Sequence, residues 1–146
     1  MNQIKAVPRI LSVLAALLLL LTSLTACSGG ITREEAKTAM DSLLVALDNE
    51  NYAEAAALYH PDAAMTEELL AAFAEQVKTK VGIDLTEGAT VEKITGISSS
   101  YYDSTVGGSR YELTAKIQAG DKTALLTVEV IRNDRGHGIF QVECNP

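Results

Sequence analysis

The amino-acid sequence predicts an α+β domain in which N-terminal helices pack on one face of a curved antiparallel sheet. Two observations lead to this prediction. Residues 32–82 contain three capped segments whose apolar residues have helical spacing, whereas the residues after Thr86 lose that spacing and alternate between apolar and polar side chains. Helices that precede a meander with one apolar face can bury that face by packing on it, which is the arrangement of an α+β domain.

The three helices are predicted from capping residues and apolar spacing. Thr32 and Glu35 fit the Ser/Thr-x-x-Glu capping box that opens a helix. Asn51 caps a second helix, which is expected to run to about Tyr59, and Thr66 caps a third. The buried face of the first helix is predicted to consist of Ala36, Met40, Leu43, Leu44 and Leu47. That of the third is predicted to consist of Leu69, Leu70, Phe73 and Val77.

The second half of the chain is predicted to form a meander of strands. A first strand, around residues 91–102, is interrupted at Gly96, which indicates a bulge or bend. The next two strands join at Gly120-Asp121, a two-residue turn of the primed type. The inward pairs of this hairpin are then all apolar: Tyr111 with Val130, Leu113 with Val128, Ala115 with Leu126, and Ile117 with Ala124.

A final strand is expected after a five-residue turn over residues 133–137, which pairs Val130 with Phe140. In this register Ile131 faces Ile139 on the outer side of the sheet, and Leu125 lies further along the same side. Leu125, Ile131 and Ile139 are therefore a possible interface, because modest apolar patches often mark contact surfaces. The alternative is that they are scattered exposed aliphatic side chains, which need no functional explanation.

Charge limits the partners of this domain. The chain has 146 residues and a formal net charge of −7 at pH 7, from 12 basic and 19 acidic side chains. Nucleic-acid binding is driven largely by the neutralisation of phosphates with Lys and Arg, so an acidic domain is not expected to bind nucleic acid.

The N-terminus has the organisation of a secretory signal peptide. Residues 1–9 contain Lys5 and Arg9 and no acidic residue, and residues 10–24 are almost wholly apolar. That apolar segment is shorter than the roughly 20 residues needed to cross a bilayer. It fits the h-region of a signal peptide, so residues 1–26 are predicted to be removed.

The sequence Leu24-Thr25-Ala26-Cys27 resembles the lipobox of bacterial lipoproteins. The resemblance implies that Cys27 is diacylglycerylated and becomes the mature N-terminus, and that its lipid attaches the protein to a membrane. The expected location is the cell envelope, on the outer face of the plasma membrane or on the outer membrane of a two-membrane cell. Residues 27–31 would be a lipidated tether and residues 32–146 a single domain. The alternative is an ordinary signal peptide with a cysteine near its cleavage site.

The phrase LDNENYAEAAALYHPDA, residues 47–63, resembles the nuclear-transport-factor-2-like superfamily when it is taken together with the order of helices and strands. The resemblance implies a cone-shaped fold whose sheet wraps a long helix and can leave a pocket. The superfamily contains isomerases, dehydratases and cyclases, and also many non-catalytic domains, including domains of bacterial lipoproteins. The resemblance therefore does not decide between catalysis and binding.

If the pocket were catalytic, His60 would be the general base and Asp62 its orienting carboxylate, with Tyr59 or Tyr101 as hydrogen-bond donor. Against this, His60 and Asp62 are expected to be exposed residues at a helix end and in a turn, and the inward face of the sheet carries no acid–base pair. The sequence favours no catalytic residue, no cofactor and no metal site. It predicts a non-catalytic binding or accessory module for an unknown envelope protein or an apolar ligand, and a small-molecule enzyme is the alternative.

Cys144 is the only cysteine besides Cys27. It is expected to be a small buried apolar residue in the last strand, on the face of Val142. A nucleophilic role is the alternative, and it would require a neighbouring His or a helix N-terminus to lower the pKa of the thiol.

Overall fold

The computed structural model describes residues 29–146, so the predicted signal peptide and Cys27 lie outside the described residues. Within this range the chain forms three α-helices followed by one antiparallel sheet with strand order β1-β2-β3-β4. The elements are α1 (Arg33–Asp48), α2 (Tyr52–Ala57), a 3-10 turn (Pro61–Ala63), α3 (Glu67–Lys80), β1 (Thr90–Asp103), β2 (Gly108–Ala119), β3 (Lys122–Asn133) and β4 (Gly136–Asn145). The predicted α+β class is confirmed: helices pack on a curved antiparallel sheet. No helix within residues 29–146 is both long and apolar enough to cross a membrane.

The predicted helix caps are present. Thr32 Oγ1 accepts a hydrogen bond from the Glu35 amide at 3.2 Å, and the Glu35 carboxylate accepts one from the Thr32 amide at 2.7 Å, which completes the capping box. Asn51 and Thr66 cap α2 and α3 in the same way, through side-chain oxygens that accept from amides three residues later. The helix starts therefore depend on contacts between residues close in sequence.

The predicted face of α1 fills the concave side of the sheet. Its five apolar residues are buried, together with the inward side chains of β2 and β3 that α1 contacts. The prediction for α3 is partly wrong: Leu70 and Val77 are buried, Phe73 is partly buried, and Leu69 is exposed. Leu69 differs because it lies about 100° around the helix from Leu70, outside the narrow stripe that faces the core.

The hairpin of β2 and β3 has the predicted register, with all four inward apolar pairs in place. Gly120 takes a φ of +60° in the turn, which glycine adopts without steric cost. Glu112 lies opposite Glu129, and Arg110 approaches the Glu129 carboxylate to 2.6 Å, so the expected like-charge pair is screened by this cation. The predicted irregularity at Gly96 is also confirmed, as a register shift between Ile94 and Gly96 in β1.

The register predicted for the start of β4 is wrong. Asn133 pairs with Gly136, so the turn has two central residues rather than five. A shift after Glu129 then leaves Phe140 as the extra residue of a bulge, and Val130 pairs with Ile139 instead of Phe140. Beyond the bulge the predicted register returns, with Val128 opposite Val142.

This bulge removes the apolar patch expected at Leu125, Ile131 and Ile139. Ile139 turns to the inner face and is 0% exposed, while Ile131 pairs with Gly138 and is 1% exposed. Leu125 alone has substantial exposure, at 38%. The possible interface that the sequence suggested is therefore not an exposed surface.

Residues 29–31, which the sequence assigns to the tether, contact the domain. Ile31 is buried and belongs to the main apolar core, and the ring of Tyr101 lies against Gly30. The Arg132 guanidinium is 3.5 Å from the Gly29 carbonyl oxygen and forms a 2.6 Å ion pair with Glu35. Residues 29–31 are therefore docked on the domain.

Candidate functional site

The segment after α2 attaches directly to the sheet, and this attachment positions His60. The Ile139 amide donates to the Leu58 carbonyl oxygen at 2.9 Å, and the His60 amide donates to the Ile139 carbonyl oxygen at 2.8 Å. Tyr59 thereby forms a short parallel bridge with Ile139 on the free edge of β4. These backbone bonds end α2 at Ala57, earlier than the predicted end at Tyr59.

Gly138 permits this attachment. A Cβ atom at that position would lie 2.6 Å from the His60 nitrogen and 2.8 Å from the Leu58 oxygen, and both are backbone atoms. A glycine inside a strand often marks such a close backbone approach.

His60 is 1% exposed, so the expectation that it would be an exposed helix-end residue is wrong. Its Nδ1 accepts a hydrogen bond from the Asp62 amide at 3.0 Å, which caps the 3-10 turn. Since Nδ1 is an acceptor, the proton resides on Nε2, which donates to the Asn133 Oδ1 atom at 2.9 Å. Both ring nitrogens are therefore engaged in structural hydrogen bonds.

Asn133 extends this arrangement to two other loops. Its side-chain amide donates to the Val106 carbonyl oxygen at 2.8 Å, and its Oδ1 atom also accepts from the Arg135 amide at 3.0 Å. His60 and Asn133 together tie the 3-10 turn to the β1–β2 and β3–β4 turns. Buried polar networks in which each member has a partner fix the relative positions of the segments they join.

Asp62 does not orient the imidazole as the catalytic hypothesis requires. Its carboxylate lies 3.8 Å from His60 Nδ1 but 2.6 Å from the Arg135 Nε atom. The hydrogen bond from Arg135 is the main reason that the pKa of the Asp62 carboxyl lies below its usual value. Asp62 is exposed, in agreement with the sequence-based expectation, and its partner is a guanidinium.

The two tyrosines of the catalytic hypothesis lie in contrasting environments. Tyr59 is buried, its hydroxyl has no hydrogen-bond partner among residues 29–146, and burial raises the pKa of this phenol. Tyr101 is 83% exposed at the end of the edge strand β1. The structure thus brings His60 and Asp62 close together without the geometry of an acid–base pair, and leaves Tyr101 on the surface.

A groove of about 500 Å³ lies between the C-terminal half of α3 and the end of β4. Sequence reasoning did not predict this groove. It is lined by Phe73, Gln76, Val77, Lys80, Val81, Val142, Glu143, Cys144, Asn145 and Pro146. The only signal in the sequence was that Val142 and Cys144 belong to the inward face near the end of the last strand.

Cys144 is partly buried in this groove, on the same face as Val142 as predicted. Burial raises the pKa of the Cys144 thiol to about 11. The thiolate is the reactive form of cysteine, so the environment of this side chain favours an apolar packing role over a nucleophilic one.

Among residues 29–146 no three His, Cys, Asp or Glu side chains lie close enough together to hold a metal ion. Comparisons of the chain with protein-family models, with curated proteins and with solved structures find no match.

Proposed function

We propose that this chain is a lipid-anchored protein of the cell envelope whose domain is a non-catalytic binding module for an apolar ligand. The anchor is the diacylglyceryl group expected on Cys27, and the binding surface is the groove between α3 and β4. As part of this proposal, the domain has the cone-shaped fold that the resemblance to the nuclear-transport-factor-2-like superfamily implies.

The proposal that the domain is non-catalytic rests on the burial of His60 and on the hydrogen bonds of its two ring nitrogens. General acid–base catalysis requires an imidazole nitrogen within hydrogen-bond reach of a substrate proton. Both nitrogens of His60 bond instead to protein groups, at 2.9 and 3.0 Å, and the ring is almost completely buried. A substrate would have to break the cap of the 3-10 turn or the bond to Asn133 before it could use this group.

The volume and the lining of the α3–β4 groove indicate the class of ligand. Pockets for small molecules commonly have volumes of about 300–1,000 Å³, mainly apolar walls and a few polar groups. The α3–β4 groove has about 500 Å³, with Phe73, Val81 and Val142 among its apolar walls, and its polar residues are Gln76, Lys80, Glu143 and Asn145. The inner side of the sheet is filled by α1, so this groove is a better candidate than a pocket inside the cone.

The anchor is tested with Cys27→Ala in the natural host. We expect the wild-type protein to carry lipid on Cys27 and to fractionate with membranes. The Cys27→Ala protein should lack lipid, and any of it from which residues 1–26 have been removed should no longer be retained on membranes, because the lipid is the proposed attachment. Mass spectrometry of the N-terminal peptide and membrane flotation measure both results. Normal processing and continued membrane retention of Cys27→Ala would contradict the proposed anchor.

The binding surface is tested with an uncharged apolar fluorescent probe, N-phenyl-1-naphthylamine, and two lysine variants. Val142→Lys places a charge in the α3–β4 groove, whereas Val45→Lys places the same charge on an exposed position of α1. Desolvating a lysine beside an apolar ligand is unfavourable, so Val142→Lys should weaken probe binding by about tenfold or more. Val45→Lys should leave it unchanged. Equal binding by wild type and both variants would show that the groove is not the site.

A further inference from the structure

Two neighbouring tyrosines at the end of β1 are exposed to a degree that is unusual for aromatic side chains in this domain. Tyr101 is 83% and Tyr102 is 72% exposed, whereas Tyr59 and Tyr111 are buried. Tyrosine combines an apolar ring with a polar hydroxyl, and for this reason it is enriched where one end of the side chain meets an apolar phase and the other meets water. Bilayer interfaces are one such place.

The position of these tyrosines relative to the N-terminus suggests which apolar phase they meet. The Tyr101 ring lies so close to Gly30 that a Cβ atom there would be 3.2 Å from two ring carbons. Ile31 is buried in the core immediately afterwards, so the start of the domain is fixed beside Tyr101. Cys27 lies two residues before Gly29, and two residues span at most about 7 Å.

Arg110 and Arg132 partly offset the acidic charge at this edge, where Asp103 and Glu112 lie 3.9 and 3.8 Å from the Arg110 guanidinium. Glu35, near the start of α1, forms a 2.6 Å ion pair with Arg132. Glu129 lies on β3 two residues from Ile131, the partner of Arg110, and forms a 2.6 Å ion pair with the Arg110 guanidinium. Carboxylates that are paired in this way repel lipid phosphates less than isolated ones do.

We propose that Tyr101 and Tyr102 insert into the headgroup region of the membrane that holds the lipid anchor, and that they fix the orientation of the domain. This inference rests on the proposed lipidation of Cys27. It also deepens that proposal, because it places the ligand groove away from the bilayer. Ser100, Arg110 and Ile131 form one row across the sheet, and Leu125 lies six residues from Ile131, which is about 20 Å along β3. Leu125 pairs with Asn145 of the groove, so the groove opens at the end of the sheet opposite the tyrosines.

The orientation is tested with single-tryptophan reporters in the full mature lipidated protein, since the chain contains no tryptophan. The reporter is Tyr102→Trp, and the matched control is Leu125→Trp at the opposite end of the sheet. Each protein is incorporated into phosphatidylcholine vesicles with or without bromine on the acyl chains near the headgroup. Bromine quenches indole fluorescence only at short range. Tyr102→Trp should lose about half of its emission or more in brominated vesicles, as expected for an interfacial aromatic ring. Leu125→Trp should lose almost none.

The possible outcomes separate this inference from the proposed function. If the mass of the N-terminal peptide shows lipid and the proteins float with vesicles, but the two reporters are quenched equally, the orientation is overturned and the anchor stands. The same holds if neither reporter is quenched. If the N-terminal peptide carries no lipid, the proposed anchor fails, and the proposed orientation fails with it.

Discussion

Replacing Gly138 with alanine should destabilise the domain by at least about 2 kcal/mol, because the new methyl group would overlap backbone that cannot move aside. The Cβ atom would lie 2.6 Å from the His60 nitrogen and 2.8 Å from the Leu58 oxygen. Relieving this overlap would separate the segment from β4 and break two backbone hydrogen bonds at Ile139. The measurement is the free energy of unfolding in urea, compared with that of wild type.

Gly96→Ala is the matched control, since it also adds one methyl group to a strand glycine. A Cβ atom at Gly96 would meet the Thr114 Cβ at 3.6 Å, which is an ordinary van der Waals contact. Its expected effect is small, and a gain of about 0.4–1 kcal/mol is possible because alanine reduces the entropy of the unfolded chain. Similar losses for the two variants would contradict the close approach at Gly138 and would point to a general intolerance of side chains in these strands.

The parts of the fold that could be predicted from the sequence are those in which the partners are close along the chain. The caps at Thr32, Asn51 and Thr66 each join a side chain to an amide three residues later. The β2–β3 hairpin is joined by a two-residue turn, so alternation of apolar residues on both sides of Gly120 determined its register.

The start of β4 could not be predicted because its register depends on a distant segment. Ile139 forms backbone hydrogen bonds with Leu58 and His60, and the bulge at Phe140 allows Ile139 to face Val130 at the same time. Alternation within β3 and β4 contains no information about the residues after α2. The apolar patch inferred from that register was wrong for the same reason, since Ile131 and Ile139 are both buried.

The burial of His60 could not be predicted from the residues near it in the sequence. Helix-end position suggested exposure, but the partner Asn133 comes from the β3–β4 turn, far along the chain. One signal was present in the sequence: Gly138 lies inside a strand, where a glycine often indicates that another backbone comes close. The partner of that close approach could be identified only from the three-dimensional structure.

Replacing His60 with alanine should lower the free energy of unfolding by about 2–4 kcal/mol, because it leaves a cavity and removes hydrogen bonds from two groups. The Asp62 amide loses its acceptor, and Asn133 Oδ1 loses one of its two donors. His60→Asn is the informative companion variant. An asparagine amide group can accept from the Asp62 amide in place of Nδ1, so His60→Asn should recover part of the lost stability. The free energy of unfolding in urea should therefore decrease from wild type to His60→Asn to His60→Ala.

The same pair of variants distinguishes the structural role of His60 from catalysis. Asparagine cannot act as a general base, so for an enzyme His60→Asn would be as inactive as His60→Ala, whatever its stability. In the binding module proposed here, both variants should bind the apolar probe at the α3–β4 groove as wild type does, at temperatures where they are folded, because the groove does not include His60.

Both His60 variants should also complement a deletion strain at low temperature. Stable variants that fail to complement would favour the enzyme, and the exposed Asp62 would then be the next residue to test, with Asp62→Asn. Loss of stability with retained complementation would mean that His60 holds the 3-10 turn against β3 and β4 and takes no part in chemistry.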